Sequence, residues 1–109
     1  MPDLRIEIHE EAVAEARAAR EWYEARSDAA AAAFMAELDQ ALEQIAEFPK
    51  AWPPYVSNTR RYLLHRFPFS IVYRKQRRRV QIIAVAHNHR KPGYWKGRAG
   101  KDEKQPGVS

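Results

Sequence analysis

A single small α+β domain, with a helical hairpin packed on one face of a small antiparallel sheet in the order β-α-α-β-β-β, follows from three observations. Leu4, Ile6 and Ile8 alternate with Arg5 and Glu7. Two stretches between residues 10 and 48 carry apolar side chains at intervals of three and four. Three short runs rich in Ile, Val, Leu and aromatics then lie between residues 61 and 87. The first and third patterns are those of strands and the second that of amphipathic helices.

The alternating start reads as a half-buried strand. Glu10 and Glu11 follow, placing negative charge in a first helical turn, where the helix dipole favours it. Ala12, Val13, Ala16, Ala19, Trp22 and Tyr23 form the apolar stripe of that helix, with Glu15, Arg17, Arg20 and Glu21 assigned to the solvent side. Ser27 or Asp28 caps a second helix, since either side chain can accept from an N–H that has no partner inside the helix. This helix opens on Ala29 to Ala33, strong helix formers. It carries Phe34, Leu38, Ala41, Leu42, Ile45 and Phe48, and stops at Pro49. The short link between the two helices makes them an antiparallel hairpin.

Lys50 to Thr59, with Trp52-Pro53-Pro54-Tyr55, reads as a loop. Strands are expected at Arg61 to Arg66, Phe69 to Lys75 and Arg79 to His87, joined through Phe67-Pro68 and Gln76-Arg77-Arg78. Val80 and Ile82 to Ala86 are apolar on both strand faces, and this stretch is expected to be a central strand. The domain is set at residues 1–98, with 99–109 a flexible tail without an apolar stripe.

Composition narrows the functions. A chain of 109 residues has room for one modest core. With 4 Gly and no Gly-rich phosphate loop, no cofactor is expected. The absence of cysteine excludes disulfides, thiolate nucleophiles and Cys-based zinc sites. A formal net charge of +5 favours nucleic acid, ribosome or an acidic protein as partner. No apolar leader and no run of the ~20 residues a membrane span needs is visible, so a cytoplasmic protein without a membrane partner is expected.

The chemistry-bearing residues concentrate in the last third. His87 sits at a strand end, and an unperturbed imidazole titrates near neutrality, which suits acid–base work. Arg90 offers a planar fork of donors for an anion. His87 and His89 share one strand face, but no third ligand accompanies them and no metal site is expected. Tyr94 and Trp95 suit either an active surface or the sealing of the sheet. Arg77, Arg78 and Arg79 form a cationic hairpin tip, and Arg60, Arg61 and Arg66 a second cationic group on the neighbouring strand. With His89 and Trp95 these arginines are the candidate contact residues for a target or an acidic partner.

Two motifs bring a resemblance. Arg61-Tyr62-Leu63-Leu64-x-Arg66-Phe67-Pro68-Phe69-x-Ile71-Val72-Tyr73-Arg74 is followed by Ile83-Ala84-Val85-Ala86-His87-x-x-Arg90-x-Pro92-x-Tyr94-Trp95-x-x-Arg98. Together with the element order, they resemble the RelE/ParE toxin superfamily over roughly residues 3–98, and especially its ParE-like plasmid-stabilisation members. The resemblance implies the toxin of a type II toxin–antitoxin pair, neutralised by an acidic antitoxin through which alone it meets operator DNA. It also implies one of two actions: binding of DNA gyrase, or metal-free cleavage of mRNA on the ribosome. Cleavage would use His87, Arg90 and Tyr94. Against cleavage, Ser70 stands where RelE-like members carry an arginine before the Leu-Val-Tyr of the third strand. Asn88 stands where they place a second arginine, and their paired loop lysines reduce to Lys50. Gyrase inhibition is therefore the favoured expectation. The RNase is the alternative, and a degenerate toxin that only binds its antitoxin is a third reading.

Overall fold

The computed structural model describes residues 5–98. β1 (Arg5–Ile8) leads into α1 (Glu10–Glu24) and α2 (Asp28–Glu47), followed by β2 (Pro54–Tyr55), β3 (Thr59–Leu63), β4 (Phe69–Gln76) and β5 (Arg79–His87). The two helices begin on side-chain caps. His9 Nδ1 accepts from the Glu11 N–H at 3.0 Å, and Ser27 Oγ accepts from the Ala30 N–H at 3.1 Å. Each supplies a partner to a donor that the first turn leaves orphaned.

The strands form one sheet in the order β1-β5-β4-β3-β2. Hairpins make β3 to β5 antiparallel, as expected, β2 adds a further antiparallel strand beside β3, and β1 runs parallel to β5 with Ile6 opposite Val80. The sheet is therefore mixed. Apolar alternation in β1 shows that it is a strand but not its direction, which here is set by the edge of β5 that the hairpins leave unpaired. β5 lies between β1 and β4, the central place its two-sided apolar run demands.

Several boundaries differ from the sequence expectation: β3 begins at Thr59 rather than Arg61, β4 runs to Gln76 rather than Lys75, and Phe48, placed on the apolar stripe of α2, lies just beyond its end and is exposed. The segment read as a loop before β3 contains β2, joined to β3 by a turn in which Ser57 and Asn58 have φ of 59° and 60°. Consecutive positive φ values suit a tight hairpin turn, and Asn tolerates them. β3 also ends at Leu63 rather than running to Arg66. The Glu37 carboxylate on α2 accepts from the backbone N–H groups of His65 and Arg66, which draws the chain out of the ladder.

The helices cover one face of the sheet. Ala12, Ala19, Phe34, Leu38, Ala41 and Ile45 pack on Ile71, Tyr73, Val80, Ile82 and Val85. Aromatic rings fill the open end of this layer. Tyr23, Phe34 and Phe67 meet at centroid separations of 5.0–5.4 Å, and Phe69 lies 5.4 Å from Phe34. A register shift beside Val72 and Tyr73 puts Ile83 and Ala84 of β5 together in the second core cluster. There they join Val72, Ala86 and Trp95, which is 1 % exposed. The outer face is thus closed by the chain that follows β5.

Candidate functional site

Beyond His87 the chain folds back over the end of the sheet. Asn88 N–H donates to Pro68 O at 2.8 Å and Arg90 N–H to His87 O at 2.9 Å. Gly93 makes a further reversal at φ 88°, a conformation that side chains rarely adopt. The following two residues then face different layers. Trp95 enters the outer core, while Tyr94 turns its hydroxyl toward α1.

The acceptor on α1 is Glu15. Its Oε2 accepts from Tyr94 Oη at 2.7 Å and from Arg98 Nη2 at 2.9 Å. Its Oε1 accepts from Arg98 Nη1 at 3.0 Å and from the Val85 N–H at 2.9 Å. One carboxylate therefore ties α1, β5 and the C-terminal segment together through a two-pronged guanidinium pair, the strong form of such a contact. The Tyr94 hydroxyl pKa is raised by burial, and further by its hydrogen bond to Glu15 and that residue's charge, with Arg98 and Arg90 opposing. Tyr94 consequently stays a neutral donor.

His87, Arg90 and Tyr94, the sequence candidates for catalysis, do converge. All three border an open groove of about 450 Å³ between α1 and the ends of β4 and β5, with Ala18, Trp22 and Phe69 forming its apolar part. His87 stacks edge-on against Phe69 at 5.1 Å, and its Nδ1 accepts from the His89 N–H at 3.1 Å. The Arg90 guanidinium carbon lies 3.8 Å from the Tyr94 ring centre, a cation–π contact. Ser70 and Asn88 meet each other: Ser70 Oγ donates to Asn88 Oδ1 at 2.6 Å. Trp22 is 53 % exposed on the groove wall, with the Arg26 guanidinium 3.5 Å from its ring centre.

The remaining candidates are dispersed. Arg60 donates to Trp52 O at 2.6 Å and is half-buried in the fold. Arg61 lies over the Tyr55 ring at 4.2 Å, on the outer face that also bears His89. Arg66 flanks Glu37 at 3.7 Å. Arg77 and Arg78 are exposed at the tip of the β4–β5 hairpin, and Arg79 pairs with Glu7 at 2.6 Å. Trp95, expected as a contact residue, is instead a core residue: the outer face of β4 and β5 needs an apolar cover, and its indole supplies it. Among the described residues no group of three or more His, Asp or Glu side chains is placed to hold a metal ion, and no helix is long and apolar enough to cross a membrane.

One solved structure, described as the chromosomal ParDE TA system from P. aeruginosa, is similar to this chain with a TM-score of 0.59 at 19% sequence identity. The match covers 77% of this chain and 95% of that one, which establishes a shared fold. No match exists among curated protein sequences. The family model for the ParE toxin of type II toxin-antitoxin system, parDE, matches residues 6–92. The chain belongs to the ParE toxin family. With that membership comes the role of toxin component in a type II toxin–antitoxin system.

Within this ParE domain the residue that sequence reasoning misplaced is Glu15, assigned to the solvent side of α1. A signal was present. Glu15 follows Ala12 by three and precedes Ala19 by four, which puts it on the buried stripe itself. Its partner Arg98 closed the second family-like motif but had been given no role. The tail at 99–109 and Leu4 lie outside the described residues.

Proposed function

We propose that this toxin arrests growth by binding a macromolecular machine, DNA gyrase, rather than by cutting RNA, and that an acidic amphipathic segment of a cognate antitoxin neutralises it. The observation that carries the choice is the Ser70–Asn88 hydrogen bond of 2.6 Å. At the two positions where the RNA-cutting relatives are expected to place arginines, this chain has a neutral pair satisfied by itself. Metal-free cleavage needs cations aimed at the charge that develops on the phosphorane. The chemistry of Tyr94 points the same way, because its hydroxyl is held by Glu15 and its pKa is raised, which opposes a role as base.

The groove supports the antitoxin. Its apolar wall at Trp22 and Phe69 is rimmed by Arg26 and Arg90, matching a segment with alternate apolar and acidic side chains. The similar P. aeruginosa structure is itself described as a ParDE system. Titrating the protein into a gyrase supercoiling reaction tests the reading. Supercoiling should stop at micromolar protein and resume when antitoxin is added; unimpaired supercoiling at that concentration removes gyrase as the target.

One observation favours the RNase as a second reading. His87 borders the groove with Nδ1 already accepting, so Nε2 is left for proton transfer beside Arg90. That reading requires codon-phased mRNA cuts that vanish in His87→Ala and persist in Arg78→Ala. Expression without harm to the host would support a toxin that only binds its antitoxin.

A further inference from the structure

The opposite end of the sheet carries a cationic surface that is no part of the groove. At the start of β1 and the tip of the β4–β5 hairpin, Arg5, Arg77, Arg78 and Arg79 enclose with Gln76 an open recess of about 580 Å³. Arg79 is neutralised by Glu7 at 2.6 Å and held by Gln76 at 3.1 Å. Among the described residues no carboxylate lies within ion-pair distance of Arg5, Arg77 or Arg78. Lys75 adds a fourth charge, its ammonium group donating to Arg77 O at 2.8 Å, and thereby ties the tip down. A second recess, bordered by Lys50, Lys75 and Gln76, continues the cationic surface toward β2.

From these observations we infer that the hairpin-tip end of the sheet is a binding surface for the phosphate backbone of duplex DNA. A guanidinium matches a phosphate with two parallel hydrogen bonds, and several on one rigid edge match the regular spacing of a strand. Among the described residues, the lining of the recess at Arg5 has no aromatic or aliphatic side chain. Those residues offer neither the stacking platform that single strands use nor the apolar pocket that a protein's anchor residue fills. Arg5, Lys75 and the Arg77–Arg78 tip sit at the β1, β5 and β4 side of the sheet, roughly 10 Å across at ~4.8 Å between strands, and Lys50 extends the cationic edge toward β2. This contact goes beyond the sequence expectation that the toxin meets operator DNA only through its antitoxin. It is also independent of the gyrase reading. Arg79 and His87 lie at opposite ends of β5, separated by ~26 Å at ~3.3 Å per residue, so a partner in the groove leaves the tip free.

The test is fluorescence anisotropy of a labelled duplex of arbitrary sequence, titrated with the full chain at several salt concentrations. Three to four phosphate contacts give log K against log salt a slope of about −3, or roughly sixty-fold weaker binding for a fourfold rise in salt, at ~0.9 per phosphate. Arg77→Gln/Arg78→Gln should reduce that slope to about −1. Arg17→Gln/Arg20→Gln, which removes the same charge from α1, should leave it nearly unchanged. Far-UV circular dichroism of each variant checks that the fold is retained. Equal weakening by the two double variants overturns the inference, because the affinity is then net charge alone. Tighter binding of a single strand, or displacement of duplex by polyglutamate at equal charge concentration, overturns it as well, the latter reassigning the surface to an acidic protein.

Discussion

Removing the Glu15 carboxylate should cost this domain a large part of its stability, although Glu15 sits in a helix otherwise rich in exposed charges. In Glu15→Ala the Val85 N–H, the Tyr94 hydroxyl and Arg98 Nη2 lose their acceptor at once, and Arg98 Nη1 keeps only the Ile83 carbonyl at 3.1 Å. Breaking one side of a buried ion pair costs about 3–5 kcal/mol. The two side chains remain 19% and 17% exposed, so partial solvation places the loss near the lower bound, about 3 kcal/mol. For a domain of this size that corresponds to a Tm lowered by roughly 12–20 °C. Glu15→Gln keeps one acceptor oxygen and loses the charge, and should cost about half as much. Urea denaturation followed by circular dichroism gives the magnitude, and amide exchange at Val85 gives the location, since that N–H is freed directly. A double-mutant cycle with Arg98→Ala should show a coupling of about 1–3 kcal/mol. If Glu15→Ala stays within about 0.5 kcal/mol of wild type, as an ordinary surface site would, the network does not hold the C-terminal segment.

Three further outcomes follow from the packing. Trp95→Ala should destabilise by about 3–5 kcal/mol in the same denaturation experiment, the cost of emptying a buried aromatic site, whereas a surface contact residue would cost little. Trp22→Ala should behave inversely: stability should be nearly unchanged, and calorimetry should find antitoxin binding at least tenfold weaker, because the exposed indole is the groove's largest apolar surface. Tyr73 donates to Pro49 O at 2.6 Å, and burial pushes its pKa from 10.0 up to about 12, with Arg60 opposing. Folding therefore favours the neutral phenol. That contribution is complete below pH 10 and is lost as pH rises through about 12. Tyr94 and Tyr23, whose pKa values burial also raises, add to the fall in this window, so alkaline unfolding curves of Tyr73→Phe should fall less steeply than wild type, and curves parallel to wild type would show that the Tyr73 phenol carries no such linkage.

Much of the architecture was legible because periodicity reports burial. The stripe Phe34, Leu38, Ala41 and Ile45 became the buried face of α2, and Val80 to Ala86 became an interior strand flanked on both sides, since neither pattern has another stable use in a domain this small. The direction of β1 was not legible, because alternation is identical in parallel and antiparallel pairing. β2 was hidden behind two prolines and a Ser-Asn turn, weaker than the Asn-Gly signal of a hairpin. At the site, the convergence of His87, Arg90 and Tyr94 followed from their shared place at and just beyond the end of β5. The commitment of Tyr94 to Glu15 did not, because it joins residues 79 positions apart. Glu15 shows the limit most plainly. Its spacing put it on the buried stripe, but its charge argued for solvent, and only the presence of Arg98 and Tyr94 opposite reverses that inference.

Whether this chain binds its target or cuts RNA is read most directly from mRNA 5′ ends mapped in cells expressing it. A toxin whose Ser70–Asn88 pair is neutral and whose Tyr94 is a fastening should leave the ends as they are in uninduced cells while growth stops. Cuts in phase with codons, abolished by His87→Ala, would contradict the account.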